Sequence, residues 1–469
     1  MVEYINRILV RSSWPLIFKY LSLIALILFL VSGFQAHSTD SSVLRHLRNT
    51  NFGNLMVWSY WWPAIILLAI VFGRIWCMVC PVEIITTFAA KIGFKKKRPL
   101  WLKSGWAITL FYTIILLVGM QVLAIHRNPF YMSVYLLSII LVSVIIGIIY
   151  EKNTFCRYVC PVGYLLGLYS RLAFWGWRVK EPSVCNSCTD KSCIHKKYTY
   201  HLNSKSCGVD LYPAKIVNND HCILCAGCLK ACDRFQSEVN PQRPNPGLKY
   251  VGFANGLFRL KPLNMAEMTF LLLVSGFVIS QVYVEWSVTS GILNSISSFL
   301  ISPFSVESHA WGVFWHGVII FAMLPVLIWF IPWLGLRIGG GRMGLKSYLL
   351  NYGIAFLPIM AAAHLSKSIV KAVSRLPYFQ HLSKDWSGVE TANQILDGSI
   401  VLWKVSPLAE LAISVIITIF ISAGIYLSGR IVYLLNRKNS IQKMAVSFYL
   451  IPVLYGGIFW VMIMIWRWF

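Results

Sequence analysis

Twelve cysteines carry most of the chemistry open to this chain, and eight of them fall between Cys185 and Cys232. The second half of that stretch runs Cys222-Ile-Leu-Cys225-Ala-Gly-Cys228-Leu-Lys-Ala-Cys232. This is the C-x2-C-x2-C-x3-C spacing that wraps a 4Fe–4S cube. Three thiolates at that spacing can hold three irons from one turn, and the fourth cysteine leaves at a helical offset. In two-cluster ferredoxins that fourth cysteine ligates the other cluster. Cys185, Cys188, Cys193 and Cys207 form a looser copy. The crossed rule then assigns Cys185, Cys188, Cys193 and Cys232 to one cluster, and Cys222, Cys225, Cys228 and Cys207 to the other. A zinc ribbon has no use for a third cysteine at the next x2 step. Disulfides are not expected of a segment read below as cytoplasmic. Gly208 stands after Cys207 where ferredoxins usually place proline, which makes Cys207 the least typical of the eight ligands.

The other four cysteines form two pairs, Cys77-Met-Val-Cys80-Pro81 and Cys156-Arg-Tyr-Val-Cys160-Pro161. The two copies align at Cys80-Pro81-Val82 and Cys160-Pro161-Val162, with Lys91 matching Arg171 and Phe94 matching Phe174. Only the interval between the cysteines differs, by one residue. A lone buried cysteine is most often a small hydrophobe. Two pairs in register point instead to a redox or metal role, with a dithiol pair and a four-thiolate iron–sulfur or metal site both open. His126, His309, His316 and His364 fall on the outer side of the topology below. His316 and His364 could flank a haem b or a quinol, but an interfacial histidine bonded to backbone or lipid headgroup is the preferred reading. No C-x-x-C-H occurs, which excludes c-type haem. Glu267, Gln281 and Glu285 read as solvated anchors, the Trp residues near span ends as an aromatic belt, and Gly339-Gly340-Gly341 as a tight turn.

These residues need a membrane to position them. Of 469 residues 57% are hydrophobic and 13% charged, with mean hydropathy +0.65. Apolar runs of about 20 residues recur, long enough to cross a hydrocarbon core. The fold class expected is an all-α polytopic membrane protein of about nine transmembrane helices with a cytoplasmic ferredoxin-like insert. Residues 1–180 form a four-helix half with the two Cys-Pro repeats, 181–262 the two-cluster domain, and 263–469 a five-helix half. The spans fall near Pro15–Phe34, Leu55–Phe72, Ala107–Ile125, Phe130–Tyr150, Met265–Val284, Val313–Ile331, Ser347–His364, Leu408–Leu427 and Met444–Trp466. Loops separate them, among them Trp286–His309 and Lys367–Val405. The net charge of +25 gathers in loops on the side shared by the amino terminus, as expected for the cytoplasmic face of an inner membrane. Five basic residues in the Lys367–Val405 loop run against that trend. With no nucleic-acid-binding motif present, the charge is not read as a nucleic-acid footprint.

Over residues 10 to 260 the four spans, two Cys-Pro motifs and paired cluster motifs resemble the NapH/NosR/CcoG-type membrane ferredoxins. The resemblance implies electron transfer between the quinone pool and a partner reductase. It also implies the alternative of a maturation factor that supplies electrons or handles metal for a metalloenzyme. The first pair is C-x2-C-P where that family has C-x3-C-P, and the five later spans and the absence of an extracytoplasmic flavin domain are departures. Basic residues near the clusters (Lys191, Lys196, Lys197 and Lys230) are expected to raise cluster potentials by favouring the reduced state.

Overall fold

The computed structural model describes residues 15–38, 40–195, 200, 206–232, 235, 245–285, 287–302, 309–439 and 445–468. The expected amino-terminal cytoplasmic start, Lys196, Lys197 and most of the Asn240–Gly247 loop lie outside them. Among the described residues, eight helices are long and apolar enough to cross a membrane. They are Leu16–Gln35, Phe52–Phe72, Pro129–Ile149, Met265–Tyr283, Ala310–Ile338, Leu345–Ser374, Pro407–Lys438 and Val446–Trp468. The expected third span is the shorter apolar helix Trp106–Val122, whose second half, Ile115–Val122, winds as a π-helix. Ala124, at φ 46°, ends it and opens the expected turn into Pro129.

Three other sequence boundaries are revised. The Trp286–His309 loop contains the helix Ser287–Ile301. The seventh span continues through Lys367 and Lys371 to Ser374, so these lysines are helical rather than loop residues. The eighth continues to Lys438 and reaches 32 residues, about 48 Å at 1.5 Å per residue. In both long helices polar residues dilute the hydropathy signal without breaking the helix.

The chain packs as two compact units. The first comprises residues 1–31, 64–108 and 133–257, and therefore holds every cysteine. Its two Cys-Pro hairpins close on each other reciprocally. Phe94 N–H donates to the carbonyl of Ile148 (2.7 Å), near the end of the fourth span, and its repeat mate Phe174 N–H donates to Val71 (3.1 Å), near the end of the second. Gly93 is required by the first contact, since a Cβ there would stand 2.2 Å from the Ile148 oxygen. An antiparallel pair, Gly176–Val179 with Leu248–Val251, closes the base of the insert. The all-helical expectation omitted this ladder because each strand has only four residues. Lys19, on the first span, is buried against Glu83 at 2.6 Å. Glu83 Oε1 also accepts from Asn153 Nδ2 (2.9 Å) and Thr87 Oγ1 (3.2 Å).

The second unit comprises residues 32–63, 109–132 and 258–469. Met265–Tyr283 runs through its centre and starts at a capping box between Asn264 and Glu267. Glu267 closes the capping box, and the exposed Glu285 pairs with Lys367. Gly276 lets the backbone of Phe321 approach, where a Cβ would meet Phe321 atoms at 2.5 Å. Trp329 stacks on Phe356 (4.1 Å) and donates to Ser275, which shares a hydrogen bond with Tyr455. His364 corrects the interfacial reading: it is buried and accepts from Trp62 Nε1 at 3.0 Å.

Removing one member of a buried ion pair leaves the other charge unmatched, which costs about 3–5 kcal/mol. Glu83→Ala should therefore lower the thermal midpoint of the purified protein sharply. Glu83→Leu combined with Lys19→Met should recover most of the loss. Equal destabilisation by single and double variants would show that the pair does not act as a unit.

Candidate functional site

All twelve cysteines lie in the first unit, and their spacing divides them into three sets of four. In the first set, Cys185 lies on the helix Pro182–Asn186 and Cys193 in the turn Ser192–Ile194, with Cys188 between them and Cys232 further on. Ser192 Oγ donates to the Ala231 carbonyl (2.6 Å) and so ties the turn to the residue before Cys232. Burial pushes the Cys193 thiol up to about 12, and Cys232, Cys185 and Cys188 act on it in the same direction. The second set is Cys207, Cys222, Cys225 and Cys228. Burial raises Cys222 to about 12 and Cys225 to about 11, and Cys228 responds in turn to Cys207, Cys225 and Cys222. The couplings also run between the two sets: Cys207 acts on Cys193, and Cys193 on Cys228.

The second loop is wound to aim amides at sulfur. Leu224 and Ala226 adopt left-handed backbone (φ 55° and 56°), a conformation rare for residues with side chains. The Leu224 and Gly227 amides donate toward Cys222 and Cys225, and Leu211 N–H donates to Cys207 Sγ at 3.2 Å. Gly208, which replaces the expected proline, has its own explanation. Its carbonyl accepts from Asn153 N–H (3.1 Å), and a Cβ on it would stand 3.1 Å from Asn153 Nδ2.

Cys77, Cys80, Cys156 and Cys160 make the third set. In each copy a short helix carries the first cysteine, the second is extended, and proline starts the next helix: Ile75–Val79 before Pro81–Ile92, and Thr154–Tyr158 before Pro161–Tyr169. The extra residue of the second copy is absorbed at Val159 (φ −130°, ψ −36°), so both prolines begin a helix in the same way. Burial raises the Cys156 thiol, and Cys160, Glu83, Cys80 and Cys77 act in the same direction; burial pushes Cys160 up to about 11. Gly163 N–H donates to Cys160 Sγ at 3.3 Å.

Arg74 was missed from sequence. It is 2% exposed, and no carboxylate pairs with it among the described residues. Its Nη1 donates to the Asp220 carbonyl (2.9 Å), and its Nη2 lies 3.4 Å from the Cys156 carbonyl and 3.6 Å from Cys77 Sγ. A lone arginine three residues before a cysteine motif in an apolar run was the available signal. The position three before Cys156 is Asn153, and the positions three after Cys80 and Cys160 are Glu83 and Gly163. Arg74 needs the space at Gly163, where a Cβ would stand 2.7 Å from its Nη2, while Asn153 bonds Glu83.

Packing joins the sets. Cys77 packs on Cys207, Val209 and Ile223 together with Cys225. Cys185 and Cys193 pack on the core that contains Cys222 and Cys228, and Cys207 N–H donates to the Cys193 carbonyl (2.9 Å). Twelve half-buried or buried thiols, several with amides pointed at sulfur, fit soft, anionic iron–sulfur chemistry. Among the described residues no three of these side chains converge on a point that a single ion would fill. The thiolates of a cube sit on separate irons, so a cube does not require such convergence. The remaining sequence candidates stand elsewhere: His126 and His316 line a cavity of about 1090 Å³ with Gln121 and Ser297 in the second unit.

A family described as a 4Fe-4S binding domain matches residues 54–99 and 133–180, one Cys-Pro pair in each stretch. Two uncharacterized proteins of Methanocaldococcus jannaschii are similar. One is 26% identical over 176 residues, covering 36% of this chain and 65% of its own length. The other is 24% identical over 167 residues, covering 30% of this chain and 68% of its own. No solved structure matches.

Crossed ligation has a spectroscopic consequence. Cys232→Ser should remove the same electron paramagnetic resonance signal as Cys185→Ser, and Cys228→Ser the other. If Cys232→Ser reproduces Cys228→Ser instead, the four cysteines of the C-x2-C-x2-C-x3-C run hold a single cluster.

Proposed function

We propose that this multi-pass membrane protein is an electron-transfer subunit of the NapH/NosR/CcoG kind, linking the quinone pool to a partner reductase. Its cluster-bearing insert faces the cytoplasm of an inner membrane. The observation that carries this reading is the packing of the three cysteine sets into one continuous series, with the third set on the segments that resemble a 4Fe-4S binding domain. Cys185, Cys188, Cys193 and Cys232 hold one cluster. Cys222, Cys225, Cys228 and Cys207 hold a second, and Cys77, Cys80, Cys156 and Cys160 hold a further centre. A 4Fe–4S cluster supplies one-electron transfer at a potential set by net charge, burial and hydrogen bonds to sulfur.

The protein's own part is to hold the donors and set the charge. The amides of Leu224, Gly227, Leu211 and Gly163 stabilise negative sulfur. Arg74 brings a permanent positive charge against Cys77, and Lys230 stands within electrostatic reach of Cys225, its ammonium drawn down to about 8 by burial. A positive charge beside a centre favours its reduced form. Cys185, Cys188, Cys193 and Cys232 are only half-buried, so electrons are exchanged where a partner or quinol meets the surface near them.

Iron, sulfide and zinc per chain, measured on anaerobically purified protein, should give about twelve irons and no stoichiometric zinc. About eight irons, unchanged by Cys77→Ser with Cys160→Ser, would leave the third set as thiols. Zinc without iron would overturn the whole reading. Arg74→Gln should lower the midpoint potential of one signal and leave the other two in place. A quinol analogue should reduce the clusters within the turnover time; clusters that stay oxidised would sink the quinol link.

A further inference from the structure

The second unit gathers cationic side chains that electron transfer leaves unused. Lys367, Lys371 and Arg375 recur every four residues, which sets them on one face at the end of Leu345–Ser374. Arg45 and Arg48, on the helix Ser41–Thr50, join Arg127 and Asn128 around a cavity of about 490 Å³. Arg48 acts electrostatically on Arg127, Lys371 and Arg375, so the two groups share one field.

That field is only partly neutralised from within, by Glu285, which acts on Lys371 and Arg375. Glu285 pairs with Lys367. Among the described residues no carboxylate pairs with Arg45, Arg48, Arg127, Lys371 or Arg375. Arg375 Nε is buried without a hydrogen-bond partner, and so is Nδ1 of His126, whose Nε2 accepts from Arg127 at 3.0 Å. Like charges held together from three separate segments repel unless an anion joins them. Guanidinium groups present planar forks that match the oxygens of phosphate, and three of them line this cavity. Arg127 also lines the larger cavity beside Met120, Val122, Ile301 and Val313, so an apolar body attached to the phosphate has space next to it.

We infer that Arg45, Arg48 and Arg127, backed by Lys371 and Arg375, form a binding site for a phosphate-bearing anion. The shared chemistry is the phosphate, whether it belongs to an anionic lipid headgroup or is free in solution. The site explains the basic residues around Lys367–Val405 that run against the charge bias of the other loops: the fold collects several of them at one place.

The test uses the full chain in phosphatidylcholine nanodiscs at low ionic strength, with thermal unfolding followed by tryptophan fluorescence. Inorganic phosphate is titrated against a chloride control, and a parallel sample contains an equal mixture of phosphatidylcholine and phosphatidylglycerol. A saturable rise in midpoint is expected from one source. It should be lost in both Arg48→Gln and Arg127→Gln and kept in Arg437→Gln, an exposed arginine of another helix. A rise with phosphate identifies a free anion; a rise with phosphatidylglycerol alone identifies a headgroup. No rise from either source, or a rise that survives either substitution, overturns the site. Arg48 and Arg127 are exposed, so neither substitution empties a core. The readout involves no cluster signal, so its outcome is independent of the electron-transfer reading.

Discussion

Asp220 is the point on which the first unit turns. Its carboxylate takes both arms of the Arg171 guanidinium, Nε to Oδ1 at 2.9 Å and Nη2 to Oδ2 at 2.8 Å, with all the groups buried. Its backbone carbonyl accepts Arg74, which in turn reaches Cys77 and the Cys156 carbonyl. The residue stands two positions before Cys222, so one side chain fixes the ferredoxin-like loop to the Cys-Pro repeats. A buried pair of this kind contributes little net stability once desolvation is counted. Its contribution is to fix register: a slipped loop would leave two guanidinium groups buried and unmatched. The neighbouring Asn219 extends the tie by donating to the Trp175 carbonyl (2.9 Å) and accepting from Arg178 (3.0 Å).

The internal repeat builds the third cysteine set, and its asymmetry gives that set its charge. A strictly symmetric pair would place the same residue three positions before each first cysteine and three after each second one. Here one half has Arg74 against Gly163 and the other has Asn153 against Glu83. Glu83 is answered by Lys19 from the first span, yet it still acts on Cys156 and Cys225. Arg74 has no such answer among the described carboxylates and faces the thiols. Lys91 and Arg171, aligned by the same repeat, have diverged likewise: the first is exposed and the second holds Asp220.

Much of this was legible because it rests on short-range rules. The thiol spacing of the insert and the length of the apolar runs are local properties, and so are the Cys-Pro steps that end one helix and begin another. What escaped depended on partners distant in sequence. Arg74 is unremarkable until Asp220 and Cys156 close around it, and Gly208 reads as a missing proline until Asn153 approaches. Helix ends were misjudged wherever charged side chains continued an apolar helix, as at Lys367, Lys371 and Arg437. The third span was set three residues too long because Leu123, Ala124 and Ile125 continue the apolar run past the end of the helix.

The reciprocal hydrogen bonds of Phe94 and Phe174 impose an order of events on biogenesis. Each Cys-Pro hairpin ends on a carbonyl belonging to the other, so neither can finish folding while it is alone in the membrane. The four thiols come together only after both hairpins have been synthesised and inserted. Ribosome and insertion machinery therefore hand over a chain whose third cysteine set is still apart. Whatever chemistry these four thiols perform begins after insertion, on a protein already in its bilayer.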